Sequence, residues 1–301
     1  SMNFGIPSAG YDDEEVRSEF TVVARAGWAA SLGEVVDHPC VAKAIADAQR
    51  REPETARIAV VPEVAAEMVG YARSRFRKRG LHAVIDVGAS TLDVCGMDLL
   101  TDDDGDRYEL LTADVRDLGL LELHSRRSKQ IGGFPPFDGT PADLVRPFAE
   151  PGKVSVVFEQ ALRALDEAFV AESAAVLVRT LAWLHTYKAP NAGAWRTGLP
   201  IFLTGGGAGA PIVSRIVRAA DDRANSMWTN YKGLRSQPLP MTVAVGPTDS
   251  AILQRFAVAY GLSYPDIDIG TIVPPSEVVA PEPIVMRRRD WQQAYIDHDH
   301  V

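Results

Sequence analysis

The feature that most constrains this chain is a pair of strands that each run into a turn of very small residues. Ala83-Val84-Ile85-Asp86-Val87 is apolar apart from one carboxylate, Gly88-Ala89-Ser90-Thr91 is short and polar, and Leu92-Asp93-Val94-Cys95-Gly96-Met97 alternates. That pattern reads as two strands joined by a tight turn. Further on, Ile201-Phe202-Leu203-Thr204 runs into Gly205-Gly206-Gly207-Ala208-Gly209-Ala210, and a helix starts near Pro211, a residue tolerated in a first helical turn. Helical periodicity surrounds both units, so the fold class is α/β.

The rest of the chain supports that class. Residues 12–47 read as helical: Asp12 to Glu15 supply an acidic first turn, and Phe20, Val23, Ala24, Gly27 and Trp28 recur at helical spacing. Ile58-Ala59-Val60-Val61 is a short buried strand ending at Pro62, and the next helix draws its core from Val64, Met68, Val69 and Tyr71. A strand is expected over 108–115, an irregular proline-rich stretch over 132–152, and helices over 154–187 and roughly 248–260. The segment 265–301 is proline-rich and then basic at Arg287-Arg288-Arg289, as in a surface arm or the start of a linker.

Each turn offers chemistry. An aspartate at a strand end, facing a glycine turn, can hold hydrated magnesium, while the turn's N–H groups and the Ser90 and Thr91 hydroxyls reach phosphate oxygens. Gly88 allows close approach. A hairpin whose polar turn simply faces water fits the same residues. The Gly205-Gly206-Gly207 turn lets a base or phosphate lie on bare backbone beside the positive end of a helix; a flexible connection is the alternative. Neither a Walker A motif nor a dinucleotide fingerprint is present, since no Gly-Lys-Ser/Thr occurs and Asp221 and Asp222 come too early. Glu63 and Asp86 form a candidate carboxylate pair for positioning metal or water, with a helix N-terminal acid as the other role for Glu63.

Composition removes other functions. The 301 residues carry 31 Lys+Arg against 40 Asp+Glu, a net charge of −9, which argues against a non-specific nucleic-acid binder. Glycines and prolines interrupt the longest uncharged stretch, 197–214, so no membrane span is expected there. Two cysteines, Cys40 and Cys95, cannot build a disulfide framework or a four-cysteine zinc site, and suit a reducing cytoplasm. The acidic loop from Asp102 to Asp106 lacks the closing glutamate of an EF-hand, because position 113 is alanine. His298 and His300 are expected to be solvated, and Arg73 to Arg79 to form a basic helix end.

In order along the chain, these motifs resemble the superfamily of actin, sugar kinases and DnaK-type chaperone ATPases, and most closely the chaperones. Asp86 to Val94 is similar to their Asp-Leu-Gly-Gly-Gly-Thr-Phe-Asp-Val phosphate hairpin, with Ala89 and Ser90 in place of two glycines. The Glu63 segment resembles Asn-Glu-Pro-Thr-Ala-Ala, Gly205-Gly206-Gly207 the adenosine motif, and Ala257-Val258-Ala259-Tyr260-Gly261 the helix after it. Phe4 to Ala9, followed by Asp12 to Glu14, resembles the Val-Pro-Ala strand end and its helix.

The resemblance implies a ribonuclease-H-like (actin-like ATPase) fold with mixed sheets flanked by helices. It implies ATP or ADP with Mg as ligands: Asp86 organising the metal, Gly88 and Thr91 on the terminal phosphates, Glu63 near the metal shell, and Gly205 and Gly206 behind the ribose and α-phosphate. Departures accompany it. Gly209 stands where an adenine-stacking arginine is usual, residues 127–154 are short for the adenine-side subdomain, and neither a first phosphate hairpin nor a lobe I lysine is found. With Ser1 preceding Met2, the expectation is a chain cut from a longer one, lacking the N-terminal part of lobe I. It would divide into 1–80 (later lobe I), 81–264 (lobe II, its final helix returning toward lobe I) and 265–301 (arm or linker). The expected function is a chaperone-like, nucleotide-dependent switch with a protein partner or appended domain and weak or absent hydrolysis alone. A protein-binding scaffold of the same fold and a small-molecule kinase are the alternatives.

Overall fold

The alternation around residues 83–97 lies at the centre of a six-stranded mixed sheet. The computed structural model describes residues 2–32, 37–50, 58–103, 105–131, 156–241 and 250–279. The irregular stretch 132–152, the arginines 287–289, His298 and His300 lie outside them. Strands β1 (Met2–Ile6) and β2 (Ile58–Pro62) form a parallel pair. In the large sheet, β3 (Gly80–Val87), β4 (Leu92–Asp102) and β5 (Gly105–Arg116) are successive antiparallel strands, with a bulge at Gly96/Met97. Next, β6 (Leu199–Thr204) lies parallel to β3, β7 (Leu234–Pro238) parallel to β6, and β8 (Thr271–Val273) parallel to β5, giving the order β7-β6-β3-β4-β5-β8.

The helices are α1 (Glu14–Ser31), α2 (His38–Arg50), α3 (Glu63–Ala72), α4 (Leu120–Ile131), α5 (Val156–Trp183), α6 (Ala194–Thr197), α7 (Pro211–Met227), α8 (Ser250–Arg255), α9 (Ala257–Leu262) and α10 (Asp266–Ile269). Period-two alternation assigns the strand residues to two cores. Leu81, Ala83, Ile85 and Val87 of β3 pack with Leu123 of α4, Phe169 and Leu177 of α5, and Val213 and Val217 of α7. From the same strand, Val84 faces the other way, with Cys95, Met97, Tyr108 and Phe202, against Val64, Met68 and Val69 of α3 and Ala257 of α9. The protein is α/β, a mixed sheet with helices on both faces.

Helix α3 reads as apolar because it is covered all round: every residue from Val64 to Ala72 is buried. The sheet covers one side and α9 crosses the other. At the crossing a Cβ on Gly261 would overlap the Ala66 carbonyl, so the helices touch through backbone. Helix α1 begins at Asp13, whose carboxylate accepts the N–H groups of Glu15 and Val16 at 2.9 and 3.3 Å.

Several expectations change in detail. The helical stretch 12–47 is two helices, and 248–260 breaks at Phe256 into α8 and α9. The long helix is α5 closing in one π-helical turn, Leu184–Lys188. By length and composition the run Glu159–Lys188 is apolar enough to cross a membrane; here Leu162, Phe169, Leu177, Leu181 and Leu184 are buried in the protein. Residues 266–273, placed by sequence in an arm, form α10 and the edge strand β8. Arg73 to Arg79 follow α3 rather than end it. Arg73 sits over the Tyr264 ring, and Arg77 pairs with Asp106 at 2.5 Å.

Candidate functional site

Three side chains stand in one row across the sheet. Asp86 of β3 is register-paired with Asp93 of β4 on one side and with Thr204 of β6 on the other. The alternation that buries Ile85 and Val87 beneath α5 turns Asp86 to the α3 face. Above the row, α3 presents Glu63 and Glu67, four residues apart and therefore on one helix face. Like charges directly opposite on neighbouring strands destabilise a sheet, and here two more carboxyls are added.

Glu63, Asp86 and Asp93 each offer an oxygen within 4.8 Å of the others'. Behind them lies a cavity of about 10 Å³, the space of one water-sized sphere, lined by Ser8, Glu67 and Cys95 besides the three acids. Among the described residues, no donor reaches three buried oxygens at this place: Asp86 Oδ1, Asp93 Oδ1 and Glu67 Oε2. The strain appears in their acidities. Burial, then the Glu63 charge, lifts Asp86 to about 6, with the neighbouring Glu67 carboxyl pulling the other way. Burial and then the charges of Asp86 and Glu63 lift Asp93 to about 7, against a hydrogen bond from Thr91. Burial raises Glu63, and burial together with the Asp86 charge raises Glu67 well above its ordinary value.

Both small-residue turns leave the same end of this row. The hairpin tip is anchored from beneath by α4, whose first N–H groups would otherwise lack partners. Gly119, Leu120 and Leu121 donate to the carbonyls of Ser90, Gly88 and Ala89 at 3.0, 3.1 and 2.7 Å. Gly88 N–H closes the turn on the Thr91 carbonyl at 2.9 Å. Among the described residues no backbone group accepts from Ala89, Ser90 or Thr91 N–H, so the tip retains free donors. Gly205 starts the second turn at φ 85°, where a Cβ would meet Asp86 Oδ1. That glycine is required by the carboxylate. Gly207 donates to the Val87 carbonyl at 2.8 Å and packs on Leu120, while Gly206 lies under Arg255. The sequence reading gave these glycines to a ligand; Gly205 and Gly207 meet neighbouring protein atoms, and Gly209 faces open space.

Three carboxylates whose oxygens lie this close together are the donor set of a hard divalent ion. The residues fit magnesium, which Glu63, Asp86 and Asp93 would hold. No family model matches the chain, and no curated protein matches it at a significant level. Among solved structures it is similar to the PilM-PilN type IV pilus biogenesis complex, with 14% identity over 74% of this chain and 56% of that one, TM-score 0.42. It is also similar to MreB 5 of Spiroplasma citri bound to AMPPNP, with 12% identity, 76% and 63% coverage and TM-score 0.40. A third is an archaeal actin homologue in complex with ADP, with 16% identity, 73% and 65% coverage and TM-score 0.35. The chain thus spans 56 to 65% of the length of these three structures.

The structure brings together Glu63, Asp86, Gly88, Ser90, Thr91 and the Gly205–Gly207 turn. Sequence reasoning missed Glu67 and the part played by Asp93. Signals existed for both: Glu67 stands four residues after Glu63, and Asp93 mirrors Asp86 across the hairpin turn.

Proposed function

We propose that this chain is a nucleotide-binding module of the actin-like ATPase type, nearest in motif order to the DnaK-like chaperones, taking ATP or ADP with magnesium. One observation carries the reading. The row Asp93–Asp86–Thr204, with Glu63 above it, lies where β3 and its parallel neighbour β6 end in the hairpin Gly88–Thr91 and the turn Gly205–Gly207. Ligands of open α/β sheets bind beyond the carboxyl ends of parallel strands, and free N–H groups beside a cation-holding acid cluster suit phosphate.

Glu63, Asp86 and Asp93 hold the cation, which supplies charge neutralisation to phosphate oxygens when bound. The Ala89, Ser90 and Thr91 N–H groups and the Ser90 hydroxyl donate to those oxygens. An acidic chain binds a polyanion here because charge is balanced locally. The output is a nucleotide-dependent change passed to a protein partner, in a cytoplasm that suits the free thiols Cys40 and Cys95. Hydrolysis by the chain itself is slow or absent.

Calorimetric titration with ATP and ADP, with and without magnesium, tests the reading. Heat that requires magnesium and disappears in Asp86→Ala supports it. A folded protein that gives no heat with either nucleotide overturns it and favours a protein-binding scaffold. A magnesium-dependent ATPase rate abolished by Asp86→Ala overturns the assignment of slow turnover.

A further inference from the structure

The nucleotide reading leaves a second cleft unused. It measures about 350 Å³, at the small end of the range that holds compact organic ligands. It is lined by Leu111 of β5, by Ser8 and Asp12 before α1, by Trp183 and Lys188 at the end of α5, and by Ser276 beyond β8. Ser8 and Ala113 line this cleft and the acid cavity alike, so the two are neighbours across a shared wall. Two features set it apart from an ordinary surface groove. Trp183 is 51% exposed beside it, with the Tyr187 ring 4.5 Å away between centroids. The π-helical turn Leu184–Lys188 follows that tryptophan and ends on the lining lysine, and such turns are frequent at functional sites.

The two charges of the cleft are fixed by a single peptide group. Lys188 Nζ donates to the Pro275 carbonyl at 2.8 Å. The adjoining N–H, that of Ser276, donates to Asp12 Oδ1 at 3.0 Å, and the Ser276 hydroxyl donates to the same oxygen at 2.6 Å. Because that carbonyl and N–H belong to one planar unit, the ammonium and the carboxylate stand no more than about 8 Å apart. The Pro275 bond uses one of the three ammonium donors, and both Ser276 bonds fall on one of the two Asp12 oxygens.

We propose that this cleft binds a free amino acid with an aromatic side chain, its carboxylate on Lys188, its ammonium on Asp12 and its ring against Trp183. Fixed charges of opposite sign at this separation favour a zwitterion, because Asp12 repels a simple anion and Lys188 a simple cation. An α-amino acid with one hydrogen bond at each end spans about 8 Å. A nucleotide suits the cleft poorly, since its several negative charges would face one cation beside a carboxylate. The exposed indole supplies a stacking partner for a planar ring, with Leu111 as further apolar surface. None of these groups belongs to the acid cluster, so the inference does not depend on the nucleotide reading.

Calorimetric titration of the full chain with L-phenylalanine, without nucleotide or magnesium, tests it. Binding with a Kd at or below about 1 mM is expected. Phenylalanine amide lacks the carboxylate and N-acetylphenylalanine lacks the ammonium; each should bind about 10-fold more weakly or worse. Trp183→Ala should weaken phenylalanine about 5- to 10-fold. Lys188→Met should no longer distinguish phenylalanine from its amide, and Asp12→Asn should no longer distinguish it from the N-acetyl form. A merely structural role for either residue would leave that discrimination intact, which overturns the assignment. A folded wild type that gives no heat with phenylalanine at about 10 mM overturns the proposal, as does equal affinity for all three compounds. Binding unchanged in Trp183→Ala overturns it by placing the ligand elsewhere. Tighter binding of N-acetyl-Gly-Phe-Gly amide, which has the ring and neither charge, also overturns it and makes the cleft a groove for a protein segment. If Lys188→Met does not fold, Asp12→Asn and Trp183→Ala decide.

Discussion

Replacing Asp86 by asparagine should make the cation-free protein more stable at pH 8 while destroying its response to divalent cations. Burial and the Glu63 charge raise Asp86 from 3.8 to about 6 in the folded state. A folded-state value above the unfolded one means stability is fully present below about pH 4 and is lost as pH rises through about 6. At about 1.4 kcal/mol per pH unit, ionising Asp86 in the folded state costs on the order of 3 kcal/mol by about pH 8. Asparagine keeps an oxygen to accept from Glu67 and carries no charge toward Glu63 or Asp93, so that cost disappears. Urea denaturation in chelator should show Asp86→Asn more stable than wild type by about 2–3 kcal/mol at about pH 8 and nearly equal to it at about pH 4. Adding magnesium or manganese should close most of this gap at high pH, because a ligand at about 100 times its Kd returns about 2.7 kcal/mol to the wild type alone. The reasoning is refuted if Asp86→Asn is less stable than wild type at both pH values in chelator. It is refuted equally if the difference between the two proteins does not change with pH.

Three further changes probe what positions the site. Gly205→Ala forces a Cβ onto Asp86 Oδ1 from a backbone at φ 85°; about 1–3 kcal/mol of stability should be lost in urea titrations, with weakened manganese binding. Gly261→Ala drives a methyl into the Ala66 carbonyl where α9 crosses α3. It should cost about 1–3 kcal/mol, read as a lower denaturation midpoint. Arg127 of α4 grips Asp166 of α5 through Nε–Oδ1 at 2.8 Å and Nη2–Oδ2 at 2.6 Å, both side chains being nearly buried. Among the described residues, Arg127→Met leaves Asp166 with the distant Arg215 at 3.9 Å, and it should cost about 3–5 kcal/mol. Adding Asp166→Leu should restore most of it, and a double variant no more stable than the single one would contradict this account.

What could be read in the sequence was local, and what could not was mostly a matter of partners far along the chain. The hairpin at residues 83–97 announces itself because apolar alternation and a small-residue turn are contiguous; Asp86 and Glu63 follow from their positions at a strand end and a helix start. Strands β7 and β8 give no such signal. Leu234–Pro238 is polar and Thr271–Val273 is three residues long, and each is an edge strand held by a single neighbour. Helix α4 is not read from the sequence; Asp166, 39 residues away, is brought against its Arg127 only in the fold. Glu67 is the most instructive case. Periodicity places charged residues outward, and no rule of patterning turns a glutamate into the core of an otherwise apolar helix. Only the sheet below, with Asp86, Asp93 and Thr204 in register, shows why a carboxyl belongs there. A helix buried all round would be more stable with an apolar side chain at position 67, and a β-hairpin with one aspartate rather than two directly opposite. The fold carries both penalties at the point where its two glycine-bearing turns converge. Packing alone gives no reason for that coincidence; the cation proposed for Glu63, Asp86 and Asp93 would.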